Sequence, residues 1–202
     1  MTSFEEPTNG FHDEISSAEA PAAAPAVVQE WAEACVRFVE RATSVRLDFT
    51  SDTLSVLDHY SRSAASSVDD RAPAKALALS AVAAYLGEVI RRAHFAWWYV
   101  PDDDPRHWQL RFGDVFLRVT PYAFADIAFD QQSEDLEEGI EVDDAQQEEV
   151  STYLANLPAV DPVEYRLPSM RYDTIGSIVA YLRALAKTEG LGDMQLTDED
   201  YA

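Results

Sequence analysis

From Val27 onward the apolar side chains Val27, Val28, Trp31, Ala34, Cys35, Phe38, Val39 and Ala42 recur every three or four residues. That is the period of one helix face, and it predicts a helix to about Thr43. Val45 to Phe49 alternates briefly. Thr50-Ser51-Asp52 then supplies capping side chains for a second, short helix that turns Leu54, Val56, Leu57 and Tyr60 inward. Ser63 to Asp70 reads as a loop. Pro73 suits the first turn of a third helix, whose stripe Leu79, Val82, Tyr85, Leu86, Val89, Ile90 and Ala93 leaves Glu88, Arg91 and Arg92 outside it. Gly87, inside that helix, marks close backbone packing.

The period then shortens. Phe95–Val100, Trp108–Phe112 and Val115–Tyr122 are rich in aromatic and β-branched residues, and the last two alternate strictly. Gly113-Asp114 between them has the form of a two-residue hairpin turn. Pro101 to Pro105 is a turn-forming loop, so the three strands form an antiparallel meander. Residues 123–129 fit either an extension of the third strand or a crossing segment. Gln146, Val150, Tyr153, Leu154 and Leu157 predict a helix ended by Pro158, and the proline-bearing stretch 158–172 wraps the surface. A last helix is expected from Asp173, with Ile175, Ile178, Val179, Leu182 and Leu185 inward, to Gly190. Helices, strands and helices in that order define an α+β fold, a small antiparallel meander of three or more strands packed against several helices.

Composition divides the chain further. Its 202 residues carry 15 Lys and Arg against 37 Asp and Glu, a net charge of −22. Residues 1–30, 130–150 and 189–202 contain 21 of those acids and no base, so the remaining body is close to neutral. The expected organisation is a disordered acidic tail at 1–25, one α+β domain at 26–190 with an acidic loop insertion at 130–149, and an acidic C-terminal tail at 191–202. Such a charge disfavours nucleic acid and anionic membrane as partners, because phosphate binding draws on Lys and Arg. It suits a basic protein partner. The first 25 residues hold no Lys or Arg to begin a secretory signal, and a cytoplasmic location is expected. The single cysteine, Cys35, sits in a helical apolar stripe and reads as a buried thiol; no disulfide within the chain is possible.

Catalytic signals are sparse. None of His12, His59, His94 and His107 stands three or four residues from another, the spacing that pairs imidazoles on a helix face for a metal. Asp102-Asp103-Asp104 lacks the alternation of a calcium loop and reads as a solvated turn. Nucleophile elbows and glycine-rich phosphate loops are absent from the sequence. No cofactor or metal is implied. One enzyme reading survives, a small hydrolase-like site in which His94, His107 and Glu88 meet between the sheet and the third helix. For Glu88 the plain alternative is a surface ion pair with Arg91 and Arg92.

Aromatic density is the strongest oddity. Phe95, Trp97, Trp98, Tyr99, Trp108, Phe112 and Phe116 fall within 22 residues. Neighbouring strand residues face opposite ways, so part of this cluster is expected on an open sheet face. Trp97, Trp98, Trp108 and Phe116 beside Arg111 and Arg118 have the composition of a protein-binding patch; the other reading of the cluster is ordinary packing under the C-terminal helix.

Leu47-Asp48-Phe49-Thr50, Thr53-Leu54, Leu57-Asp58, the run Ala84-Tyr85-Leu86-Gly87-Glu88-Val89-Ile90, Trp98 and the Gly113 hairpin together resemble a group of actinobacterial and myxobacterial domains of unknown function. The likeness spans roughly residues 28–125. It implies a bacterial cytosolic origin and transfers no ligand or reaction. The expected function is therefore a non-catalytic protein-binding, immunity or accessory module that acts on a basic partner through the sheet and its acidic rim.

Overall fold

The computed structural model describes residues 23–68, 72–130, 138–192 and 194–202. Seven α-helices and one sheet are present among them: α1 (Ala26–Thr43), α2 (Leu54–Val68), α3 (Ala72–Ala93), β1 (Ala96–Tyr99), β2 (Gln109–Phe112), β3 (Leu117–Val119), α4 (Pro121–Phe129), β4 (Ile140–Val142), α5 (Gln147–Ala155), α6 (Pro162–Tyr165) and α7 (Pro168–Thr188). Short 3₁₀ turns cover Ser51–Thr53, Pro105–His107 and Asp198–Tyr201. The sheet is an antiparallel meander in the order β1-β2-β3-β4, and the fold is α+β.

The core is built around α3. It is apolar almost all round, and every residue from Ala78 to Arg91 is buried, as expected of a helix enclosed by others. By length and mean hydropathy (1.3) it would suffice to cross a membrane, yet 72% of that window is buried inside the protein, as in a core helix. It packs on α1 and α4, while α7 closes the other side against α2, α4 and α5. Cys35 is fully buried in this core and its thiol pKa is pushed up by burial.

Several boundaries differ from the sequence reading for tertiary reasons. α2 continues to Val68, into the stretch read as a loop, because Ala64 and Ala65 are buried; residues 69–70 of that stretch lie outside the described residues. β3 ends at Val119, and residues 123–129 lie within α4, which Pro121 opens. The 130–149 segment contains β4, where Glu141 pairs with Arg118 at 3.5 Å. Three residues are too few for their alternation to stand out among acids. The register Arg111↔Arg118 makes the β2–β3 connection Gly113–Phe116, longer than the two-residue turn expected. Gly113 is needed there for a close approach: an added Cβ would stand 2.1 Å from the Phe95 ring. The expected tail at 1–25 lies outside the described residues up to Ala22.

The last helix begins at Pro168, not Asp173. Its first turn is capped by a residue remote in sequence. Asp58 on α2 accepts hydrogen bonds from the Ser169 amide at 3.0 Å and the Ser169 hydroxyl at 2.6 Å. Burial raises the Asp58 carboxyl above its ordinary pKa, against those hydrogen bonds and Arg62. The folded state thus holds the Asp58 proton more tightly than the unfolded chain does, and this group alone lowers stability as pH rises through its folded value. Asp58→Ala is expected to cost about 1–2 kcal/mol in urea unfolding, as loss of a helix cap does, and Asp58→Asn less, since one acceptor remains.

Candidate functional site

Pleating separates the aromatic cluster into two populations. Trp98, Leu110, Phe112, Leu117 and Val119 face α3 and are buried. Trp108 joins them at 2% exposure, edge-on to Trp98 at 6.5 Å, and its indole N–H donates to the Asp102 carbonyl. Trp98 and Trp108 are therefore core residues, in correction of their expected place on a docking patch. The opposite face carries a cross-strand row, Trp97↔Arg111↔Arg118↔Glu141, with Tyr99 and Phe116 beside it.

That outer face is covered by the chain's own C-terminal segment, which is not the free acidic tail expected. Asp198 accepts hydrogen bonds from the Trp97 indole N–H at 2.9 Å and from Arg111 Nη1 at 2.7 Å. The Tyr201 ring stacks on Phe116 at 4.7 Å and meets Trp97 edge-on at 5.9 Å. Its hydroxyl accepts from the amides of Phe112 (3.1 Å) and Leu117 (3.2 Å), and the nearest carbonyl for its own proton is that of Phe112, at 2.7 Å. Leu196 adds a backbone hydrogen bond to Gly113 O. Arg111 is 6% exposed, lies 3.7 Å over the Tyr99 ring, and faces the like charge of Arg118 across the strands. Asp198 and Glu141 each neutralise one member of that pair. A sequence signal for the segment did exist: Thr197 and Asp200 have capping-box spacing, and both reciprocal hydrogen bonds form.

The enzyme residues do not converge. His94 precedes β1 and His107 precedes β2 of an antiparallel pair, so at least the length of β1, roughly 10 Å, lies between them. His107 is exposed and its Nδ1 lies 2.8 Å from Asp102 Oδ2. His94 rests beside Phe112 and Tyr172, and burial, then the charge of Arg183, lowers its pKa. Glu88 is 2% exposed, not a surface ion-pair residue. It accepts from Arg91 Nε (2.7 Å) and Nη2 (3.1 Å) and from the Trp98 indole N–H (2.7 Å), with Arg92 at 3.4 Å. Burial pushes its pKa upward, but these hydrogen bonds and charges outweigh that and hold it below the ordinary value. A carboxylate so surrounded by donors acts as a structural anchor between α3 and β1. Among the described residues no group of three or more His, Cys, Asp or Glu side chains is placed to hold a metal ion.

A second surface was not visible in the sequence. Val115, Phe116, Leu182, Leu185, Ala186, Leu191 and Met194 floor a groove of about 370 Å³ between α5, the end of α7 and the β2–β3 connection. The charged residues lining it are Asp114, Asp143, Glu149 and Glu189, all acidic. Leu191 and Met194 remain 49% and 39% exposed.

No family model, curated protein or solved structure matches this chain.

Proposed function

We propose that the protein is a non-catalytic binding module for a basic, amphipathic protein segment, which it takes in the groove between α5 and the end of α7. The observation that carries this reading is the combination of an apolar floor with Asp143, Glu149 and Glu189 at the rim, beside an Asp114 that Arg183 pairs, and no lining Lys or Arg among the described residues. Apolar contact supplies affinity in such a groove, while the rim selects for positive charge and speeds encounter. The charge expectation from sequence is kept, but the docking site moves from the sheet to the groove, because the sheet is occupied.

The test uses a synthetic twelve-residue amphipathic peptide of Leu and Lys as probe. Amide shifts should map to Leu185, Leu191 and Met194, and the double reversal Glu149→Lys with Glu189→Lys should weaken binding at least tenfold at low salt, less at high salt. Binding that maps elsewhere, or that ignores the reversal, would overturn the proposal.

A further inference from the structure

We propose that the outer face of the sheet is a receptor for an acidic segment with a carboxylate three residues before a tyrosine, and that Asp198–Tyr201 is its displaceable occupant in cis. The partner that fits is a protein segment of the same chemistry. This site adjoins the groove, with which it shares Phe116, and release of the segment would carry Met194 away from the groove's wall; the inference does not rest on a basic segment binding there.

The receptor half is supplied by the strands and the β2–β3 connection. Strand pairing sets Arg111 directly opposite Arg118, and two like charges so placed destabilise a sheet unless an anion lies between them. Glu141 serves Arg118 from β4, but among the described residues Arg111 has its carboxylate only from Asp198. The β2–β3 connection leaves the Phe112 and Leu117 amides converging on one point, where the Tyr201 hydroxyl accepts both. A phenol carries an acceptor and a donor at the end of a flat apolar ring, which matches these amides, the Phe112 carbonyl and the slot between Phe116 and Trp97. Phenylalanine lacks the hydroxyl. The face therefore specifies its ligand by two groups, a carboxylate for Trp97 and Arg111 and a tyrosine for the hairpin.

The ligand half is loosely attached. Within 194–202 only Tyr201 is buried, and the side chain of Asp198 remains 65% exposed. The connection from α7 passes through Gly190, at φ +77°, and Gly192, neither of which an added Cβ would crowd closely. Within the docked segment Asp200 accepts from the Thr197 amide at 2.7 Å and hydroxyl at 3.0 Å, which shapes the turn that carries Asp198 and Tyr201. A segment with few buried contacts opens locally, well below the free energy of global unfolding.

Two measurements on the full chain test this. In native-state hydrogen exchange the Phe112 and Leu117 amides should exchange by a local, denaturant-independent opening that Asp198→Asn increases at least tenfold. A fluorescein-labelled peptide of residues 194–202 should then bind the Asp198→Asn protein at least tenfold more tightly than wild type, and a peptide bearing Tyr201→Phe or Asp198→Lys should lose that binding. Tyr201→Phe in the full chain gives a second opened form should Asp198→Asn fold poorly. Exchange of both amides only through global unfolding would overturn the proposal, as would local opening without peptide binding or equal binding of the altered peptides. A concentration-dependent dimer in which the segment crosses between copies would replace the partner with a second copy of this chain and overturn the inference as stated.

Discussion

Glu88→Ala is expected to be among the most damaging single substitutions in the protein, with a loss of about 3–5 kcal/mol, the range for removing one member of a buried ion pair. The buried carboxylate is a junction: it receives the Arg91 guanidinium, the Trp98 indole N–H and the charge of Arg92 at once. Alanine removes the acceptor of a buried N–H on β1 and two hydrogen bonds of a buried guanidinium on α3 together, and each loss leaves desolvation less fully offset. Against a typical total of about 5–15 kcal/mol this is a large fraction. In urea unfolding followed by circular dichroism the midpoint should fall steeply. Glu88→Gln should lose less, since the amide oxygen can still accept from Trp98. The pH dependence has a definite sign. Because the folded pKa lies below the ordinary 4.5, the unfolded chain binds the proton more readily. The stability contributed by Glu88 is complete above about 4.5 and disappears as pH falls through the lower folded value. The gap between wild type and Glu88→Gln should therefore be full at pH 7 and shrink in acid; an equal gap at pH 3 and pH 7 would contradict this account.

Gly87→Ala is the second. In an exposed helix interior this change gains about 1 kcal/mol. Here the new Cβ would stand 2.2 Å from Trp98 Cη2 and 2.4 Å from Cζ2, with Pro121 Cγ at 3.1 Å. The ring cannot swing aside, because Glu88 holds its N–H and Trp108 abuts its face. Overpacking should reverse the sign and cost about 1–3 kcal/mol. Trp98→Leu removes the obstructing ring, so the double variant Gly87→Ala with Trp98→Leu should be less destabilised than the sum of the singles, by about 1 kcal/mol or more. Strict additivity of the four urea curves would show that the two positions do not touch in solution.

The two substitutions lie side by side, yet they were legible to different degrees. Gly87 announced close packing by interrupting an otherwise apolar helix, and the structure supplies the neighbour. Glu88 was read as a solvent-facing ion-pair residue because Arg91 and Arg92 follow at helical spacing. The pairing is real, but its burial depends on β1 crossing over α3, and no local pattern encodes which helix face a later strand will cover. Asp58 is similar: a carboxylate on α2 caps a helix that begins 110 residues later, so the start of α7 was placed at the nearest local capping residue, Asp173.

Local periodicity determined the helices α1 and α3, the first three strands and the α+β class, because apolar spacing of 3.6 or 2 is a property of neighbours along the chain. Charge arithmetic likewise located the acidic stretches. Where parts of two of those stretches lie was decided only by the tertiary structure. Three residues of one became β4, and the last seven residues lay down on the sheet face that their own composition suggested was open to others. The reason is physical: Arg111, Trp97 and the open β2–β3 connection attract any carboxylate and phenol they can reach, and the nearest pair in space, Asp198 and Tyr201, is among the most distant in sequence.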